Sequence, residues 1–178
     1  MHITCYENAL SEENCGKLIS LFEAMEDKHV VYDHQVQAGH PQWTEMNLTQ
    51  HRESWQELFG SLSQLFYNAF VQYITEHGAP IPHPKKMEEL RMKRYTGDDH
   101  FAMHTDVTDH ATARRYLAGI LYLNDNVEGG EIHFPVQDLT VKPKMGDFLI
   151  FPPLWCFPHE ARPTPDVKYQ ITGYAHYD

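Results

Sequence analysis

Three prolines fall within five residues, at Pro80, Pro82 and Pro84, and a segment so poor in backbone donors continues neither a helix nor a sheet ladder. It divides the chain into two regions with different hydrophobic periods. Ahead of it, Cys15, Leu18, Ile19, Phe22 and Met25 recur at helical spacing behind Ser11, a favoured N-cap, with Glu12 and Glu13 in the first turn. A longer stripe from about Glu53 to His77, including Trp55, Leu62, Phe66, Phe70 and Tyr73, predicts a second helix that Gly78 ends. A stripe at that period reads as a face packed on a sheet. Between the two, Asp33 to Thr49 keeps no period and mixes Gly39, Pro41 and Trp43 with polar groups, which predicts a long loop.

Behind the prolines the runs become short, β-branched or aromatic, and separated by turn residues: 89–95, 114–125, 130–135, 139–143, 147–152 and 168–177. Many short strands at close intervals point to a sandwich or barrel. The expectation is a mainly β fold with supporting helices, a helical front over about 1–84 and a β-rich core over about 88–178. A chain of 178 residues with 42% hydrophobic content has the size of one self-folding domain, 1–178.

Charge narrows the partners. With 25 acidic against 14 basic side chains the net charge is −11, so the molecule's field repels a phosphate backbone and nucleic acid is not expected. The local basic run of Arg91, Lys93, Arg94, Arg114 and Arg115 reads as a solvated strand face, with Arg115 the best placed to touch a substrate. Cys5, Cys15 and Cys156 have no metal-type spacing and indicate no disulfide framework. The N-terminus lacks a basic leader with an apolar run, and nowhere do 18 apolar residues follow one another. A soluble, cytoplasmic protein without membrane contact is expected; oligomeric state is not legible.

The chain has 13 histidines, so one histidine alone says little. In RYTGDDHFAMHTD, however, His104 and Asp106 are two apart, and alternate side chains of an extended chain share a face. The segment MGDFLIFPPLWCFPHEARP then brings His159 after a Gly-Asp turn and an apolar strand. Two imidazoles and one carboxylate make a face suited to Fe(II), leaving positions open for a chelating keto acid and for O2. A keto acid's remote carboxylate needs a cation, because a buried unpaired anion is costly. Lys168, nine residues beyond His159, is placed for a return on a neighbouring strand.

HxD, a distant His, a basic residue shortly after, GGE before a strand and the Gly-Asp turn together resemble the 2-oxoglutarate and Fe(II) dioxygenases, above all the prolyl 4-hydroxylase group. The resemblance runs from about Leu90 to Tyr177. It implies a double-stranded β-helix (jelly-roll, cupin-like) core packed against N-terminal α-helices. It also implies iron on His104, Asp106 and His159, and a salt bridge from Lys168 to the C5 carboxylate of 2-oxoglutarate. Tyr122 in GILYLN and Tyr95 in RYTG match family tyrosines of the co-substrate pocket, and Thr172 stands where the family keeps a small residue. The implied reaction is hydroxylation of a protein or peptide side chain, a prolyl residue first, giving succinate and CO2, with ascorbate as reductant. Arg115 and Trp155 are candidates for substrate contact, Trp155 having a core position as its plainer reading.

Two neighbouring patterns compete. Pro143, Gly146, Asp147, Pro152 and His159 also look like the second motif of cupins, which would make the chain a metal-binding protein or isomerase without 2-oxoglutarate chemistry. That type wants HxH in its first motif, and this chain has HxD. The oxidative nucleic-acid demethylases carry paired arginines in the closing strand, where KYQITGY has one lysine and no arginine. Other candidate ligands are His100, His110 just after Asp106, and His133, which shares a strand with Glu131 and could pair with it in a different site; His133 reads as a satisfied or exposed histidine.

Overall fold

A computed structural model describes residues 2–32, 42–78 and 80–177. The chain opens with strand β1 (Thr4–Tyr6) and helix α1 (Glu12–Ala24), whose first turn Ser11 caps by accepting the Asn14 amide at 3.4 Å. Strands β2 (Val30–Tyr32) and β3 (Trp43–Asn47) follow, then a 3-10 turn at Arg52–Trp55 that leads into helix α2 (Gln56–His77). Gly78, at φ +58°, ends α2 in the left-handed conformation its missing Cβ allows. Past the prolines come β4 (Lys86–Met87), β5 (Arg91–Tyr95), β6 (Phe101–His104), β7 (Arg115–Tyr122), β8 (Ile132–Phe134), β9 (Leu139–Val141), β10 (Phe148–Phe151), β11 (His159–Ala161) and β12 (Lys168–His176).

The strands form two antiparallel sheets. The larger runs β1-β10-β7-β12-β5-β3-β2, with β4 on β12, and the smaller runs β6-β11-β8-β9. Alternation along the long strands sorts side chains between two cores. Met92, Leu117, Leu121, Ile171 and Ala175 pack on the helical side with Phe22 of α1 and Phe66, Phe70 and Tyr73 of α2. Ala118, Ile120, Tyr122, Leu149 and Phe151 face Ile132 and Phe134 of the small sheet. The result is a jelly-roll with the helices on the outer face of its larger sheet, as expected.

Two glycines set how closely α2 lies on that sheet. Gly119 and Gly173 are register partners on β7 and β12. A Cβ on Gly173 would come within 2.6 Å of Leu90 Cδ2 and 3.1 Å of the Phe66 ring; one on Gly119 would meet the Phe148 ring at 2.9 Å. Arg94 of β5 fastens α1 by donating to both oxygens of Glu23, at 2.9 and 2.8 Å.

One expectation fails in part. Residues 33–41 of the predicted loop lie outside the described residues, but Trp43–Asn47 is a strand between β2 and β5. Its polar residues conceal it: Glu45 is only 4% exposed, because Arg91 Nη1 at 2.7 Å and the Trp43 indole at 3.1 Å satisfy its carboxylate. The edge strands β1, β2 and β4 are short and carry no period of their own.

Candidate active site

β6 and β11 are neighbours in the small sheet, and their register sets His104 opposite His159. Just past β6 the chain turns Asp106 back toward both. Oδ1 lies 3.6 Å from His104 Nε2 and Oδ2 3.6 Å from His159 Nε2. All three ligand atoms fall within 4.8 Å of one another, a spacing one metal ion can span. The second nitrogen of each ring is already used: His104 Nδ1 is 2.8 Å from the Ala102 carbonyl, His159 Nδ1 3.1 Å from that of Phe157. A carbonyl only accepts, so Nδ1 carries the hydrogen and Nε2 keeps a lone pair aimed at the cluster. Burial lowers the pKa of His159, against the pull of Asp106.

Asp106 is held from two sides. Tyr174 donates its hydroxyl to Oδ1 at 2.8 Å, and Arg115 Nη1 donates to the Asp106 main-chain oxygen at 2.9 Å. Arg115 is locked by Glu88 through Nε at 2.7 Å and Nη2 at 2.8 Å, and stands 4.1 Å from the centre of the Tyr174 ring. Burial works to raise the Asp106 pKa, but the His104 contact, the nearby His159 and the Tyr174 hydrogen bond outweigh it and hold the carboxyl well below the usual range.

Period-two alternation from Lys168 turns Gln170, Thr172 and Tyr174 of β12 toward the same interior, where the last three line a cavity with the His-Asp-His group. Lys168 itself is fully buried beside its register partner Tyr95. Its Nζ donates to the Gly130 carbonyl at 3.1 Å and lies 4.2 Å from the centre of the Tyr95 ring. Gly130 is at φ +74°, and a Cβ there would press on Lys168 Cδ at 3.3 Å, so the second glycine of GGE gives the lysine its room. No carboxylate pairs with Lys168 among the described residues. Burial, helped by repulsion from Lys93, brings its pKa down to about 7. On the same interior face, the Tyr122 hydroxyl and Gln170 Oε1 are buried without a partner among the described residues.

A buried ammonium with one carbonyl and an unsatisfied hydroxyl is a costly arrangement by itself. It fits a bound carboxylate, just as two imidazoles and one carboxylate fit a divalent metal with open positions. The residues present therefore suit both an Fe(II) ion and a dicarboxylic keto acid.

The other candidates separate clearly. Tyr95, 2% exposed, and Thr172, whose hydroxyl donates to the Arg91 carbonyl at 3.4 Å, line the cavity. Arg115 reaches the outer cleft but is tied to Glu88. Trp155 is 81% exposed, so its core reading is wrong: Pro152 and Pro153 end β10, and the turn that follows carries the indole outward. His133 meets the Thr140 hydroxyl at 3.0 Å and sits opposite Glu160, away from the cluster.

The basic run also reads differently in the fold. Arg91 pairs with Glu45 and Glu89, Arg94 with Glu23, and Lys93 turns into the cavity. Lys93 and Tyr174 were missed as site residues. Counting in twos from Tyr95 and from Lys168 would have found both.

Residues 90–176 match the family model described as the 2OG-Fe(II) oxygenase superfamily. The match spans just under half of the chain and, together with the fold, supports a 2-oxoglutarate-dependent dioxygenase as the class of this protein. Within the class its fold is the one prolyl hydroxylases share. The viral collagen prolyl hydroxylase of Paramecium Bursaria Chlorella virus-1, in its 2OG complex, superposes with a TM-score of 0.69 at 18% identity, over 98% of this chain and 95% of that one. A prolyl-4-hydroxylase of Pseudomonas putida gives 0.74 at 15%, over 99% and 93%. A prolyl hydroxylase of Trichoplax adhaerens, in complex with a hypoxia inducible factor oxygen degradation domain peptide fragment, gives 0.76 at 16%, over 98% and 83%. No curated protein matches the chain in sequence.

Proposed function

We propose that this chain hydroxylates a side chain of a protein or peptide, with a prolyl residue as the target, using Fe(II), 2-oxoglutarate and O2. His104, Asp106 and His159 hold the iron; Lys168, with Tyr122, Tyr95 and Thr172 around it, holds the far carboxylate of 2-oxoglutarate. Bound there, the pair supplies oxidative decarboxylation to succinate and CO2 coupled to insertion of one oxygen atom into a C–H bond, with ascorbate restoring the ferrous state. The observation that carries the reading is the buried Lys168, without a carboxylate partner among the described residues, packed behind Tyr95 of the cavity into which three ligand atoms converge.

The chain's own part is binding and exclusion. The Nδ1 hydrogen bonds fix both imidazoles in the tautomer that offers Nε2. Tyr174 and Arg115 keep the Asp106 carboxylate turned inward. Phe101, Ile120, Ile132 and Phe151 line the inner cavity with apolar surface that limits competing water.

Outside it opens a cleft of about 380 Å³, lined among others by Tyr32, Trp43, Thr108, Thr112 and Arg115, with room for a residue presented on an extended chain. A peptide substrate is supported by the Trichoplax neighbour, which was captured with one. The acidic net charge and the lack of paired arginines on β12 argue against nucleic acid.

The test is a peptide screen with Fe(II), 2-oxoglutarate and ascorbate, scored for succinate and for gain of one oxygen on proline. Matched gain and succinate are expected. Metal binding without any response to 2-oxoglutarate would instead favour the cupin reading.

A further inference from the structure

Lys93 stands where the inner cavity meets the outer cleft and lines both. It is placed by β5, opposite Gln170 on β12 and Glu45 on β3. The three glutamates of the cleft are each engaged by an arginine: Glu45 and Glu89 by Arg91, Glu88 by Arg115. Glu45 also accepts from the Trp43 indole, so both of its carboxylate oxygens are engaged. Among the described residues Lys93 has no hydrogen bond and no ion pair within 4 Å; its ammonium lies 3.9 Å from the centre of the Trp43 ring. Trp43 in turn packs edge-on against Phe101, which stacks on the His104 imidazole at 3.5 Å between centroids.

An aromatic floor thus runs from the metal-ligand group to an ammonium whose three donors have no acceptor among the described residues. An ammonium so placed is completed by an anion, and a flat apolar group beside that anion is completed by the two rings. Resting on the reading above, we propose that Lys93 anchors a carboxylate of the primary substrate next to the ring or chain being hydroxylated. The substrates are therefore acidic at that point, through either a free α-carboxylate on the target residue or an Asp or Glu side chain beside it. Lys168 is fully buried and does not reach the outer cleft, which leaves the co-substrate to Lys168 and the outer anion to Lys93. Burial lowers the Lys93 pKa against the opposing pull of Glu45 and Asp106, in keeping with a cation short of a partner.

The test is binding, so it does not wait on a known substrate. N-acetyl-proline, its amide, and acetylated Pro-Asp and Pro-Asn amides are titrated calorimetrically into wild-type protein, K93M and K93R, each loaded with Fe(II) and 2-oxoglutarate under nitrogen. Wild type is expected to prefer one carboxylate probe over its neutral partner on the order of tenfold or more. Whichever pair discriminates identifies the source of the carboxylate. K93M should bind both members alike, and K93R should recover part of the preference.

Equal binding of acid and neutral probes by wild type, no binding by any, or a K93M defect that falls on 2-oxoglutarate instead would each overturn the assignment. Failure of the wild type to take up 2-oxoglutarate at all is a separate readout, and it counts against the parent reading.

Discussion

Lys168 and Tyr174 carry the residue-scale account. With its pKa near 7 in the free protein, Lys168 is largely neutral above that pH and charged below it. A bound carboxylate restores its charge and raises its pKa. Binding of 2-oxoglutarate to the Fe(II) protein should therefore take up a proton above pH 7, weaken as pH rises, and take up almost none well below pH 7. Calorimetry in buffers of different ionisation enthalpy measures the uptake, and Lys168→Met should remove it together with about 1.5–3 kcal/mol of affinity; no uptake in wild type would place the anion elsewhere. Tyr174→Phe deletes one hydrogen bond to Asp106 Oδ1 and leaves the ring. Iron affinity should fall by about tenfold, the lower end for a residue that orients a ligand, as read by Fe(II) titration; an unchanged affinity would make that bond incidental. The three ligand-type residues and Lys168 were legible because each stood in a motif. Lys93 was not, because a basic strand residue looks solvated until the neighbouring strand is known.

Among the elements, β12 does the most: it pairs with β5, β7 and β4 and presents Lys168, Gln170, Thr172 and Tyr174 to the interior. Its outer face depends on the close approach of α2. Gly173→Ala should cost about 1–3 kcal/mol by overpacking against Leu90 and Phe66. Chemical denaturation measures this directly, and a neutral result would mean α2 can shift outward. Both helices were legible from their stripes and caps, and the long core strands from their β-branched runs. β3 was not, since Glu45 and Asn47 are buried polar residues whose partners, Arg91 and Glu89, lie more than forty residues away. Short strands such as β1 and β4 owe their conformation to pairing, which no local pattern announces.

For the whole molecule, both helices lie ahead of the prolines, but β1, β2 and β3 of the front half join the larger sheet; the helices brace one face of that sheet while the small sheet closes the other. Among the described residues no helix is long and apolar enough to cross a membrane. The jelly-roll brings β6, β11 and β12 together, and so joins residues from 104 to 174 in one cavity. What the sequence could not convey was the closure of the cleft by β2 and β3 from the front half, which supplies Tyr32, Trp43 and Glu45 to the wall.

The sharpest measurement is the absorption spectrum of the Fe(II) protein under nitrogen as 2-oxoglutarate is added. The wild type and His133→Ala should both develop the metal-to-ligand charge-transfer band of the chelate, and His159→Ala should not. A band that survives loss of His159, or disappears with His133, would contradict the assignment of the iron to His104, Asp106 and His159.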